Sequence, residues 1–393
     1  MISKFLEITR KDERTILGLM SGTSADGLDV ALVKLKGGGT DIDLKLITAR
    51  TYEYDDEFKR KIIELYDPES SRVNDICEMN FLIAKKHAEF VLQFLKENNL
   101  NPEDVDCIAY HGQTIHHLPN GGKYGVRSTM QIGEMDLLAY MTGIMTVGDF
   151  RKKDLSAGGQ GAPLVSYMDY ILYRNEEKSI SVHNLGGISN LTYLPRGCSK
   201  EDVIAFDTGP ANALIDAVVK HYFDMNYDED GKISSRGDVV KELFYNLVKI
   251  DDGYFKKEPP KTTGKEVYNL NFVMKALENL KRELKPEDIL KTVVHFTAWH
   301  IFQNYSIHII PKGLDEIVFS GGGTKNETLM NLMRTFFKTV NVEVRVDNRF
   351  GKFKEAVCMA MLAHEFLNGN PNNIPSATGA REPVICGKLS FPR

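Results

Sequence analysis

The stretch TILGLMSGTSADGLDVALVKL, residues 15–35, decides the fold. An apolar run is followed by the small and polar residues SGTSADG and then by the alternating strand LDVALVKL, the pattern of a β-hairpin with a small-residue turn. A strand that ends in Gly, Ser and Thr exposes backbone N–H groups and hydroxyls with no bulky Cβ in the way, as close approach to a phosphate requires. The phosphate-facing set is therefore Gly22, Thr23, Ser24, Ala25, Asp26, Gly27, Leu28 and Asp29. Asp26 and Asp29 also supply two carboxylates that could hold Mg²⁺ through water. Plain turn chemistry is the competing reading of this hairpin taken alone.

Working outward, the same device recurs as SISVHNLGGISNLTYL, residues 179–194, with Gly186 and Gly187 at its turn. Two copies so far apart predict two similar lobes, and no short repeat points to a solenoid. A third glycine turn, Ser320 to Gly323, lies between the strand EIVFS and a helix. Bare backbone at Gly321, Gly322 and Gly323, with Asn326 beyond, would let a base or ribose lie flat. Between these turns, residues 79–98 read as an amphipathic helix with Phe81, Ala84, Ala88, Val91, Leu92 and Leu95 inward. The short strand VDCIAY then delivers His111, Gln113 and Thr114 at its C-terminal end, where open α/β sheets place ligand groups. Strands alternate with helices throughout, which predicts the α/β class with a mixed sheet and flanking helices in each lobe. The boundaries are drawn at residues 1–130 plus a tail of about 370–393 for the first lobe and 131–369 for the second, with ATP and sugar in the cleft between.

Composition narrows the function. A chain of 393 residues exceeds the size at which one core stops growing, and 42% hydrophobic with 26% charged residues is ordinary for a globular protein. Lys+Arg 49 against Asp+Glu 54 gives a net charge of −5 without a basic run, so neither nucleic acid nor an anionic membrane is expected as a partner. Charges interrupt MISKFLEITRKDERT where a secretory signal needs an apolar run, which predicts a cytoplasmic protein. The five cysteines are too widely spaced for a metal clip or disulfide framework, and His116 and His117 lack companions for a metal. Neither a Walker A loop nor a strand-linked GxGxxG occurs.

Two strand-turn-strand hairpins plus a late strand-GGG-helix resemble the phosphate and adenosine elements shared by sugar kinases, actin and chaperone ATPases. Longer segments narrow the match: GLMSGTSADGLDVALV, YHGQTIHHLP, QIGEMDLLAYMTGI, DFRKKDLSAGGQGAPLV, HNLGGISNLTYL, FDTGPANALID, EPPKTTGKE and SGGGTKN, in that order. Together they resemble the anhydro-N-acetylmuramic acid kinases, bacterial enzymes of cell-wall recycling, from roughly Leu17 to Leu367. The resemblance implies an ATP-dependent enzyme that hydrolyses the 1,6-anhydro bond of its amino sugar and phosphorylates the O6 so released. Ala211 stands where family members often have Gly, and about a dozen extra residues precede the first strand. A homodimer is left open, as are two other functions: a kinase for a different amino sugar, and an actin-like or chaperone-like ATPase without a sugar.

Opening an anhydro ring needs a carboxylate base near an in-line phosphoryl donor. Asp207 closes the strand VIAFD before Thr208, Gly209 and Pro210, and it matches the Asp the family uses as base; capping the following helix is its alternative role. Gly209 joins the expected phosphate contacts. Asp149 and Arg151 offer an acceptor and a bidentate donor for sugar hydroxyls or a lactyl carboxylate, with a salt-bridged hinge as the alternative for Arg151. His111, Gln113, Thr114, Gln131 and Glu355 complete the expected sugar contacts. Lys261 and Lys265 in PPKTTGKE could approach phosphate or sugar, but loop lysines are usually solvated and these are not counted as catalytic.

Overall fold

A computed structural model describes residues 2–278, 280 and 282–392. The chain forms two compact units, Met1–Leu172 with Phe353–Arg393, and Tyr173–Lys352.

The first unit is built on a 7-stranded sheet. Its strands are β1 (Glu13–Ser21), β2 (Gly27–Lys36), β3 (Asp43–Glu53), β4 (Cys107–Leu118), β5 (Ser128–Ile132), β6 (Thr146–Gly148) and the late β12 (Lys388–Ser390). The hairpin read from residues 15–35 is present, with β1 antiparallel to β2 and Leu17 opposite Leu32. β3 extends it antiparallel, while β4 and then β6 continue the other side in parallel. In the second unit the strands are β7 (Ile180–Leu185), β8 (Ile188–Leu194), β9 (Ile204–Pro210), β10 (Glu316–Ser320) and β11 (Glu343–Val346). Their order, β9-β8-β7-β10-β11, repeats β3-β2-β1-β4-β6 with the same parallel and antiparallel pairings. The two glycine hairpins thus open two copies of one sheet plan.

Each sheet carries its own core. Leu17, Leu19, Val30, Leu32, Ile83 and Val91 belong to the first. Leu191, Phe206, Leu214, Val293, Phe296 and Phe319 belong to the second. The parallel strand β10 is buried at all five positions, as a strand covered on both faces should be. The helix Pro286–His308 starts with Pro at its first turn and Glu287 and Asp288 against the helix dipole, and it is buried on most sides.

Three readings shift. The units divide at 172/173 and 352/353, where the sequence reading put 130/131 and 369/370. β5 and β6 pair with β4, so residues 131–148 stay with the first sheet, and the helix Lys354–Asn368 packs against β1. At Gly18 any Cβ would lie 1.9 Å from the Ala356 carbonyl oxygen, so this glycine is what admits the helix. Second, the helix Val73–Glu97 turns Phe81 and Leu92 outward; its inner stripe is Met79, Ile83, Ala84, His87, Ala88, Phe90, Val91, Phe94 and Leu95. His87 rotates the stripe because its two ring nitrogens meet the Tyr54 and Tyr110 hydroxyls inside the core. Third, β4 does not end before His111 but runs on to Leu118, bending at Gly112 where φ is +75°.

Candidate functional site

Within the first unit, the turn between β1 and β2 presents Thr23, Ser24 and Asp26 to solvent. Gly22 has only the Ser24 hydroxyl near its missing Cβ, at 4.0 Å, so backbone is bare there. Ala25 and Leu28 are fully buried, and Gly27 is a packing glycine whose Cβ would meet the Tyr52 carbonyl at 2.3 Å. Asp26 is ion-paired with Lys59. Asp29 accepts from Thr51 and is one of the charges that push the Glu355 carboxyl up.

The expected sugar-binding residues separate into two kinds. Gln113 is a strut: it is fully buried, its Nε2 donates to the Gly22 carbonyl (3.0 Å) and to Tyr66 (2.9 Å), and its Oε1 accepts from Ser21 (2.6 Å). Thr114 accepts from Gln131 Nε2 at 3.1 Å and holds that amide in place. His111 and Glu355 converge on Arg151. Its Nε donates to His111 Nε2 (3.0 Å) and its Nη1 to the Gly161 carbonyl (2.7 Å), while Glu355 is its main electrostatic partner. Because His111 Nδ1 faces the Gly112 carbonyl (2.9 Å), it carries the proton and Nε2 is free to accept. Burial, aided by Arg151, lowers His111 to about 3, which keeps that tautomer neutral. Glu355 lies at a solvent-exposed position but is crowded by protein, and that desolvation raises its carboxyl against the pull of Arg151. All these contacts lie inside one unit.

Two acceptors here lack protein partners among the described residues, Gln131 Oε1 and Asp149 Oδ1. Asp149 sits at φ +59°, with Oδ2 shared between Lys152 (3.0 Å) and Lys388 (2.7 Å). A buried acceptor with no donor calls for a ligand hydroxyl or water. Sequence reading missed Asp154, a buried carboxylate that accepts from the Gly161 N–H (2.8 Å), Asn373 (2.8 Å) and Thr378 (2.7 Å) and so fixes the glycine loop against which Arg151 rests.

In the second unit, Asp207 lies on β9 with its carboxylate held through one oxygen. Oδ2 accepts from Thr262 Oγ1 (2.7 Å) and the Thr263 N–H (3.0 Å). The Asp207 N–H donates to the Lys261 carbonyl (3.1 Å), and Tyr254 donates to the Asp207 carbonyl (2.9 Å). Burial raises the carboxyl above its ordinary range, against the two hydrogen bonds that lower it. The following helix begins only at Asn212, and its first N–H groups donate to the Gly186 and Gly187 carbonyls (3.0 Å each). Helix capping by Asp207 is therefore excluded. Lys265 stands over Gly187, where its Cε would be 2.8 Å from an added Cβ.

The other glycines divide as in the first unit. Gly209 is a packing glycine at φ +107°, its Cβ position 2.4 Å from His300. Gly321 and Gly323 are closed by Asn184 and Leu185, which leaves Gly322 exposed as bare backbone. Asn326 caps the helix Glu327–Lys338 by accepting from the Leu329 N–H through Oδ1 (3.0 Å).

Residues 14–392 match the family model described as anhydro-N-acetylmuramic acid kinase. The chain belongs to the anhydro-N-acetylmuramic acid kinase family. Proteins of that name are similar to it over nearly all of both chains. The one from Caldanaerobacter subterraneus subsp. tengcongensis is 47% identical, covering 99% of this chain and 100% of its own. That from Francisella tularensis subsp. novicida is 40% identical, covering 95% and 98%. One from Bacillus cereus is 41% identical, covering 96% and 99%. Among solved structures, a ROK family glucokinase from Streptomyces griseus, in complex with glucose and AMPPNP, aligns with a TM-score of 0.39 at 10% identity, covering 88% and 98%. As a member of the anhydro-N-acetylmuramic acid kinase family the chain is an enzyme, a kinase. The family match starts at Arg14, so the helix Ile2–Thr9 lies outside it. Arg14 fastens that helix through the carbonyls of Ile8 (2.8 Å) and Thr9 (2.7 Å). Among the described residues no helix is long and apolar enough to cross a membrane.

Proposed function

We propose that this kinase opens 1,6-anhydro-N-acetylmuramic acid with water and phosphorylates O6 to give N-acetylmuramic acid 6-phosphate, with Asp207 as the general base. The observation that carries the assignment is the state of Asp207: a raised carboxyl, aimed by Thr262 and Thr263 through Oδ2, with no hydrogen bond to Oδ1 among the described residues. Such a group accepts a proton from water as that water bonds to the anomeric carbon. The C1–O6 bond breaks, and O6 takes the phosphoryl group. ATP, when bound, supplies that group.

Arg151, oriented by His111 and Gly161, is suited to a sugar carboxylate or hydroxyl pair, and the orphan oxygens of Gln131 and Asp149 are suited to donors on the same ligand. Backbone at Gly22 and Gly187, the hydroxyls of Thr23 and Ser24, and Lys265 are the candidates for phosphate, and Gly322 for the nucleoside. For Mg²⁺, Asp29 is the better carboxylate, because Asp26 is already balanced by Lys59; the ion, held through water, would offset phosphate charge.

ATP turnover measured with and without 1,6-anhydro-N-acetylmuramic acid tests the reading. Sugar-dependent turnover with a 6-phosphorylated, ring-opened product is expected. Turnover indifferent to the sugar would overturn it.

A further inference from the structure

Behind the Asp207 turn lies a buried group that neither the family reading nor the glycine motifs point to. His300, on the helix Pro286–His308, and Asp251 both have fully buried side chains, with His300 Nε2 3.1 Å from Asp251 Oδ1. The other ring nitrogen, Nδ1, is 2.8 Å from the Thr208 carbonyl oxygen. A carbonyl can only accept. Asp251 also behaves as an acceptor: its Oδ1 takes the Tyr268 hydroxyl (2.6 Å) and its Oδ2 the Tyr254 N–H (3.0 Å). Burial would raise the Asp251 carboxyl, but these donors together with His300 outweigh it and hold it below the ordinary range. Asn304 Nδ2 also lies 3.4 Å from Nδ1, but its protons go to the Thr208 and His300 carbonyls at 2.9 Å each, so the nearest partner of each ring nitrogen is an acceptor and both nitrogens of His300 need a proton. The ring is also surrounded by aromatic faces and edges: Tyr254 is stacked on it at 6.0 Å, with Phe255, Phe296 and Tyr268 between 5.6 and 5.9 Å. The stacked Tyr254 face suits a desolvated cation.

We infer that His300 is a buried imidazolium paired with ionised Asp251, and that this pair positions Asp207. The pair fixes the peptide that follows Asp207. Thr208 oxygen takes two donors, His300 Nδ1 and Asn304 Nδ2 (2.9 Å), and the Thr208 hydroxyl is held by Ser189 at 2.6 Å. Gly209 lies flat on the imidazole, because no Cβ fits there. Asp251 binds the same Tyr254 whose hydroxyl holds the Asp207 carbonyl, so the pair reaches both sides of the catalytic residue. His300 and Asp251 touch no reacting atom in this scheme; they are positioning residues. The inference about their role rests on Asp207 being the base.

Ring-nitrogen NMR of the histidine-labelled, full-length protein reads the protonation directly, with the His300 signal assigned through its shift in Tyr268→Phe. Two protonated nitrogens are expected at about pH 7. A neutral ring at about pH 7 would overturn the ion pair. For the role, Asp251→Asn should lower kcat about 10–100-fold, the usual span for outer-shell partners, with both KM values within about twofold, counted per ATP-binding molecule. Tyr268→Phe should lower kcat in the same sense by a smaller factor and serves if Asp251→Asn does not fold. Unchanged kcat per ATP-binding molecule in either variant would mean the pair is structural only. Full activity in Asp207→Asn would instead sink the base assignment and leave the NMR result standing.

Discussion

At Asp207, desolvation makes the folded protein bind its proton more tightly than the unfolded chain does. Its stability contribution therefore falls as pH rises from the ordinary carboxylate range through the raised folded value. Asp207→Asn removes that cost while keeping acceptors for Thr262 and Thr263. It should melt at or above the wild type near neutral pH, with the difference closing as pH falls, while turnover drops about 10²–10⁴-fold. A lower melting temperature with turnover intact would mark the residue as structural. Lys261 has the opposite pH dependence. Its ammonium lies over the Phe206 and Tyr254 rings and donates to the Phe255 carbonyl at 3.1 Å, and desolvation brings it down to about 8. Between that value and the ordinary lysine range the unfolded chain holds more protons than the folded one. Wild type should thus gain stability relative to Lys261→Met as pH rises from about 8 to about 10, read as a widening difference in melting temperature. At this scale the sequence was least informative: Gly22 and Gly27, or Gly322 and Gly323, are the same letter in one motif, and only the backbone or side chain opposite each distinguishes an open approach from a packing contact.

Among elements, the helix Lys354–Asn368 shows what a pattern can and cannot convey. Its run AVCMAMLA is apolar on every face, so the helix was legible as buried. Which sheet it covers was not, because the deciding residue, Gly18, is more than three hundred positions away. Gly18→Ala places a methyl against backbone and should destabilise the first unit by about 1–3 kcal/mol, measured by denaturant unfolding. An unchanged midpoint would mean the helix is free to shift. The two hairpins were legible for the converse reason: turn residues and strand alternation are local, so the small-residue runs after β1 and β7 announced themselves. The inner face of Val73–Glu97 was misjudged because a histidine counts as polar until its partners, Tyr54 and Tyr110, are known.

For the molecule as a whole, the second unit is one uninterrupted segment and the first is two. All five strands of the second sheet and the core beneath them come from Tyr173–Lys352, so that segment expressed alone should give a cooperative unfolding transition. A fragment ending at Leu172 lacks both the helix on β1 and the strand β12 beside β6, and should remain unfolded until the segment Phe353–Arg393 is added in trans. Circular dichroism and dispersion of amide signals would separate the cases; a folded 1–172 fragment would contradict the importance given to that helix.

This interrupted first unit also sets an order of events on the ribosome. The strands β1 to β6 emerge first, yet the helix that covers β1 is translated only after the whole second unit. The later-made unit should therefore be the first to reach its native state, while the earlier-made one waits with apolar surface on β1 uncovered. Chaperone demand during synthesis should concentrate on nascent chains shorter than the Lys354–Asn368 helix, and a pause in translation just before that helix would prolong the exposure.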